Sequence, residues 1–156
     1  MPVNRREFLK KSVSISAYSV ALASGFLKSG PASAEWIAEQ FAQGKLEETL
    51  KTLFKDAKIT ASDKIEIQIP QIAENGAMVP ITVTSHLDGV DAISILVEKN
   101  PVPLAARFNL SPDLEPSVST RLKMAETSEV IVIAQANGNL YSARQMVKVT
   151  IGGCGG

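Results

Sequence analysis

The chain is 156 residues long, 45% apolar and 21% charged, which suits one domain with a hydrophobic core and is too short for two large ones. Sixteen basic and sixteen acidic residues cancel, so there is no basic field of the kind that binds nucleic acid. One cysteine, Cys154, and one histidine, His86, exclude an internal disulfide and a multi-cysteine metal site and leave little for a Ser-His-Asp arrangement.

Residues 4–12 (NRREFLKKS) are basic, with adjacent Arg5 and Arg6 followed by Phe8, Leu9 and Lys10. A moderately apolar stretch, 13–27, comes next. PASA then offers Ala32 and Ala34 in an A-x-A cleavage pattern before Glu35. The order is similar to a twin-arginine export signal, with Asn4 where Ser or Thr is commoner. A membrane anchor is the competing reading, but about 15 mixed residues fall short of the roughly 20 that span a bilayer. The expected organisation is a signal over 1–34 cleaved after Ala34, a folded domain over 35–151 and a tail over 152–156. Cleavage would remove five basic residues and one acidic residue. The remaining 122 residues would carry 11 basic and 15 acidic, net −4, a surface unsuited to DNA or anionic membranes. The twin-arginine route carries folded proteins, often with a cofactor inserted or a partner bound. No cofactor motif is present, so a partner is expected, and a periplasmic location with it.

The first stretch of the domain, 35–54, reads as helical. Leu46, Leu50, Leu53 and Phe54 form an apolar stripe with Glu47, Glu48 and Lys51 off it, and Gly44 interrupts the earlier turn around Trp36 and Phe41. From Lys64 the period becomes two. Ile65, Ile67 and Ile69 alternate with Lys64, Glu66 and Gln68. Further runs follow at Val79–Val83, Ile93–Val97, Leu104–Leu110, Val118–Met124 and Tyr141–Ile151, with a continuously apolar run over 130–134. Turn signals separate them: ENG at 74–76, DG at 88–89, NPVP at 100–103, SPDLEP at 111–116 and NGN at 137–139. Asn-Gly between two apolar runs is a strong hairpin signal. Seven short strands without intervening helices predict an all-β, antiparallel sandwich of immunoglobulin-like type with an N-terminal helical segment. Pro80 and the prolines near Asn100 predict edges or bulges. An exposed edge needs cover, which a partner protein can supply. There is no internal repeat and no low-complexity linker.

The last strand runs to Ile151, and Gly152, Gly153, Cys154, Gly155 and Gly156 close the chain. Glycines add no packing and raise backbone entropy, so the sequence predicts a thin, mobile arm. Three residues separate Cys154 from Ile151, roughly 10 Å at full extension. Such a backbone can pass a channel where a Leu or Lys would jam. No His, Lys or Arg lies within the arm, and the carboxylate of Gly156 opposes ionisation. The thiol therefore keeps the character of a free cysteine, with only about a few per cent thiolate at neutral pH. An enzyme nucleophile is held and activated; this one is neither, and a covalent carrier fits better. An incidental thiol would invite unwanted dimerisation in an oxidising compartment. Prenylation requires the cysteine fourth from the end, and Cys154 is third. A terminal Gly-Gly thiocarboxylate of the ubiquitin-like kind needs cytoplasmic ATP, against the export signal, and a β-grasp fits seven strands after one helix poorly. An exported thiol enzyme such as a peroxidase and a tail thiol that merely crosslinks remain as alternatives. His86 and the cations Arg107, Arg121, Arg144 and Lys148 read as solvated surface, though the cations could attract an anionic adduct near the arm. ENGAMVP is equally a partner-facing loop or a turn.

The stretches PQIAENGAMVPITV (70–83), VEKNP (97–101), TRLKMAETSEV (120–130) and VKVTIGGCGG (147–156) closely resemble the SoxY family, sulfur-carrier subunits of the periplasmic thiosulfate-oxidising (Sox) system. The resemblance implies a heterodimer with SoxZ, a second immunoglobulin-like domain. Cys154 takes the place of the carrier cysteine, and Gly152, Gly153, Gly155 and Gly156 its flexible flanks. It implies that the cytochrome SoxXA couples thiosulfate to the thiol and that the manganese-dependent hydrolase SoxB releases sulfate. Where present, a sulfane dehydrogenase oxidises the remaining sulfur. Haem and metal would belong to those partners. The chain itself would carry no cofactor and no metal and would be a carrier rather than an enzyme.

Overall fold

The computed structural model describes residues 38–111 and 113–151. A 3-10 turn over Ala38–Phe41 precedes one helix, α1, over Leu46–Phe54. The break between them contains Gly44, as the sequence predicts, and the Gly44 amide donates to the Pro101 carbonyl at 3.1 Å. At the start of α1 the Glu48 carboxylate reaches back to accept from the Lys45 amide at 3.3 Å, one half of a capping box.

Nine strands follow among the described residues: β1 (Ile59–Ala61), β2 (Ile65–Gln68), β3 (Ile72–Ala73), β4 (Val79–Ser85), β5 (Val90–Val97), β6 (Leu104–Asn109), β7 (Ser117–Leu122), β8 (Ser128–Ala136) and β9 (Asn139–Val149). Seven of them coincide with the seven predicted runs. The sequence reading missed β1 and β3, three and two residues long, because so few residues carry no period. Both pair in parallel with β9. The larger sheet runs β1-β9-β8-β5-β6, with β3 also on β9, and the smaller runs β2-β4-β7. Every other pairing is antiparallel, and the two sheets form the expected sandwich.

Two cores explain the pattern. Between the sheets lie Ile65, Val79, Ile81 and Val83 from the smaller sheet against Ile93, Ile95, Val130, Val132 and Val147 from the larger. On the far side of the larger sheet, Leu96, Leu104, Ile131, Ile133 and Leu140 form a second core with Phe54, and Leu46, Leu50 and Leu53 of α1 pack against it. The helix stripe thus has a physical partner. The same arrangement explains the continuous apolar run of β8: Val130, Val132 and Ala134 face one core, Ile131 and Ile133 the other. Each such Ile or Val, once fully buried, stabilises by about 1.5–3 kcal/mol.

The proline expectation needs a correction. Pro80 lies in β4, the central strand of the smaller sheet. It is tolerated because β2 stops short of it. The last β2–β4 pair is Gln68 with Thr82, and continuing the register would set Pro80 opposite Pro70, which has no amide hydrogen either. At Pro80 the strand has only β7 beside it, through Arg121, so the edge is local. Pro101 and Pro103 lie between β5 and β6, β6 being a true edge, and the β5–β6 register shifts at Ile95/Leu96.

The two Asn-Gly pairs behave differently. Asn137 and Gly138 have φ of 51° and 76° and join antiparallel neighbours β8 and β9, the hairpin the dipeptide predicts. Asn75 and Gly76 join β3 to β4, which lie in different sheets, so that pair is no hairpin turn. The Asn137 side chain also docks on the Asp88-Gly89 turn: its amide donates to the Asp88 carbonyl at 2.9 Å. Gly89 has φ of 67°, and a Cβ there would lie 2.5 Å from Asn137 Oδ1. Gly89→Ala therefore combines a left-handed backbone with a steric clash and is expected to cost about 1–3 kcal/mol. A lower urea midpoint at unchanged slope is the measurement that checks it.

Candidate functional site at the base of the C-terminal arm

Cys154 and its neighbours Gly152, Gly153, Gly155 and Gly156 lie outside the described residues, as do Arg5, Arg6 and Ala34 of the expected export signal. What the structure describes is the place from which the chain end departs. β9 reaches it as the longest strand, with Val147 fully buried and Val149 packed on the inter-sheet core. Its pairing with β8 ends at Val147 opposite Ser128. Thr127 extends the support: its hydroxyl accepts from the Val149 amide at 3.0 Å.

The opposite side of β9 is held by β3 and the loop after it. The Lys148 amide donates to the Gln71 carbonyl at 2.8 Å, and the Thr150 amide to the Ala73 carbonyl at 3.1 Å. The Gly76 amide donates to the Ile151 carbonyl at 2.7 Å, and the Thr150 hydroxyl to the Glu74 carbonyl at 2.9 Å. The loop is itself fixed. The Asn75 side chain accepts from the Ala77 amide at 2.8 Å, and the Gly76 carbonyl accepts from the Met124 amide at 2.7 Å. ENG is thus a cradle for the end of the last strand. In the sequence the segment fits a partner-facing loop or a turn equally, and no pattern marks Thr127 or Thr150. The pairing of β3 with β9 links positions some seventy residues apart, and no local pattern announces that.

The surface here is apolar. Among the described residues the exposed large hydrophobics are Ile72 (60%), Met78 (64%), Met146 (55%), Ile151 (67%) and Leu114. Four of these five belong to the arm base. Ile72 pairs with Lys148, two residues beyond Met146 on the same face, Met78 follows Gly76 by two residues, and the Ile151 carbonyl accepts from the Gly76 amide. An exposed apolar group gathered in one place marks an interaction surface more than scattered residues do.

Three of the four cations are exposed. Arg144 pairs with Glu129 at 3.2 Å, Arg121 and Lys148 are exposed, and Arg107 is half-buried. His86 is exposed beside Glu66 at 3.7 Å. Among the described residues no group of three His, Cys, Asp or Glu could hold a metal ion. No described helix is long and apolar enough to cross a membrane.

A family model described as "Sulfur oxidation protein SoxY" matches residues 50–154, about two thirds of the chain and through Cys154. The chain belongs to the SoxY family. Among solved structures, the sulfur carrier protein SoxY from Chlorobium limicola f thiosulfatophilum is 43% identical with a TM-score of 0.63, the match covering 69% of this chain and 97% of that one. A superoxide reductase (neelaredoxin) from Ignicoccus hospitalis matches at 20% identity and a TM-score of 0.52, over 58% of this chain and 94% of that one, which shows a shared sandwich fold alone. Comparison with curated proteins finds no match. Membership of the SoxY family supports a sulfur-carrier role in sulfur oxidation.

Proposed function

We propose that this SoxY-family chain holds thiosulfate-derived intermediates covalently on Cys154 and presents them to partner Sox enzymes in the periplasm after twin-arginine export. The observation that carries the reading is the family match running through Cys154, the chain's one thiol.

The cycle is the one that the resemblance to the SoxY family implies, and a thiol can carry each of its states. Thiosulfate and the Cys154 thiol give two electrons to a SoxXA-type cytochrome and one proton to solvent, and an S–S bond forms between Sγ and the outer sulfur. Hydrolysis of this cysteine S-thiosulfonate by a SoxB-type enzyme breaks the bond to the sulfonate sulfur. Water supplies the oxygen, sulfate leaves, and a persulfide stays on Cys154. A sulfane dehydrogenase, where present, takes six electrons from the persulfide while three waters supply oxygen and seven protons leave to solvent, and hydrolysis of the resulting cysteine S-sulfonate releases sulfate and restores the thiol. The chain contributes reach, an unhindered backbone and a thiol that does not react unassisted. The apolar residues at the arm base and the edge strands β6 and β7 support recognition by other proteins, including a SoxZ-type partner as a heterodimer.

An exported thiol enzyme such as a peroxidase is the competing reading. The isolated protein is expected to show no peroxide turnover, and its thiol to titrate like that of a free cysteine. A reactive thiolate well below that range, with turnover, would favour the enzyme.

A further inference from the structure

We infer that the loop after β3 and the Thr150 hydroxyl form a clasp that sets where the arm begins, with Thr150 as a positioning residue. The inference rests on the carrier reading for its purpose, and on the geometry for its existence. Pairing with β8 has already ended at Val147 and the Thr127 hydroxyl reaches no further than Val149, so Thr150 and Ile151 would fray if nothing else held them. Instead, three backbone bonds run to Gln71, Ala73 and Gly76, and the Thr150 hydroxyl adds a fourth to the Glu74 carbonyl. The loop cannot simply follow the strand outward. Its Gly76 carbonyl is tied to the Met124 amide, beside a fully buried methionine, and the Asn75 side chain closes it on Ala77.

The consequence is a fixed reach. With the clasp shut, three residues carry Cys154 beyond Ile151, about 10 Å when extended. If the chain peeled back to Val149, five residues would swing, about 17 Å. A longer tether samples a larger volume, and the thiol's effective concentration at any one acceptor falls. The hydroxyl of Thr150 is the clasp's one side-chain contribution from β9's extension, so it can be removed without touching the backbone bonds.

The test uses the full chain with a nitroxide label on Cys154, the single cysteine. Line broadening of backbone amide resonances maps how far the label travels, and hydrogen exchange reports the Gly76 amide. Thr150→Val is expected to widen the broadened region by several residues and to speed Gly76 exchange about fivefold, the loss of one ordinary hydrogen bond. Thr150→Ser keeps the hydroxyl and is expected to restore both. An equal melting midpoint in all three proteins shows that the changes are local. Identical label reach and Gly76 exchange in wild type and Thr150→Val would overturn the clasp and leave the carrier reading untouched. Normal thiosulfate oxidation by a Cys154→Ser strain would overturn the carrier reading and leave the clasp standing.

Discussion

Replacing Cys154 with serine is expected to reduce thiosulfate oxidation to background in cells that depend on this chain, while the melting of the folded domain stays unchanged. The reason is chemical. A hydroxyl cannot form the S–S bond that the proposed carriage requires, and no second thiol exists in the chain to substitute. Size and flexibility are nearly preserved, so a full loss points to the sulfur atom. Deleting residues 152–156 is expected to give the same loss. A subunit whose tail thiol merely crosslinks would leave sulfur metabolism intact in both strains. Thiosulfate consumption by whole cells, compared with a wild-type complement, is the measurement.

The second large effect falls on stability. Ile95→Ala is expected to destabilise by about 2–5 kcal/mol, the range for emptying a fully buried aliphatic position. Ile95 is 0% exposed, sits on β5 between Ala106 of β6 and Val132 of β8, and faces the inter-sheet core. The surrounding strands are paired on both sides and cannot collapse fully into the void. For a domain with a total stability of about 5–15 kcal/mol this is a large fraction. The melting midpoint is expected to fall by about 10–20 °C. Ile95→Val keeps most of the volume and is expected to cost about 0.5–1.5 kcal/mol. Below the melting transition, the thiol of Ile95→Ala is expected to react with small reagents at the wild-type rate.

The fold was legible wherever a segment was long enough to carry a period. The alternating or continuous apolar runs gave β2 and β4 to β9, and the stripe of Leu46, Leu50, Leu53 and Phe54 gave α1, because each buries one face or both against a continuous core. Two classes of feature were not legible. β1 and β3 are recruited by the edge of β9 and owe their conformation to a distant partner. Asn75-Gly76 and Asn137-Gly138 share a dipeptide, but only the second has its flanking strands in the same sheet, and no local signal distinguishes them. Pro80 read as an edge residue because a proline cannot donate. The structure satisfies that demand by ending β2 at Gln68. For the candidate site, the thiol and its glycines were plain in the sequence because they are exceptional in composition. The cradle that holds Thr150 and Ile151 was hidden because its bonds are mostly backbone bonds, which any residue can make.

The most direct test of the carrier reading is the mass of the terminal tryptic peptide, residues 149–156, released by cleavage after Lys148 from protein taken from thiosulfate-oxidising cells. Covalent carriage on Cys154 predicts additions of sulfur and of sulfonate-bearing groups on this peptide that a thiol reductant removes. A peptide found only with its free thiol, in cells that are actively consuming thiosulfate, would contradict it.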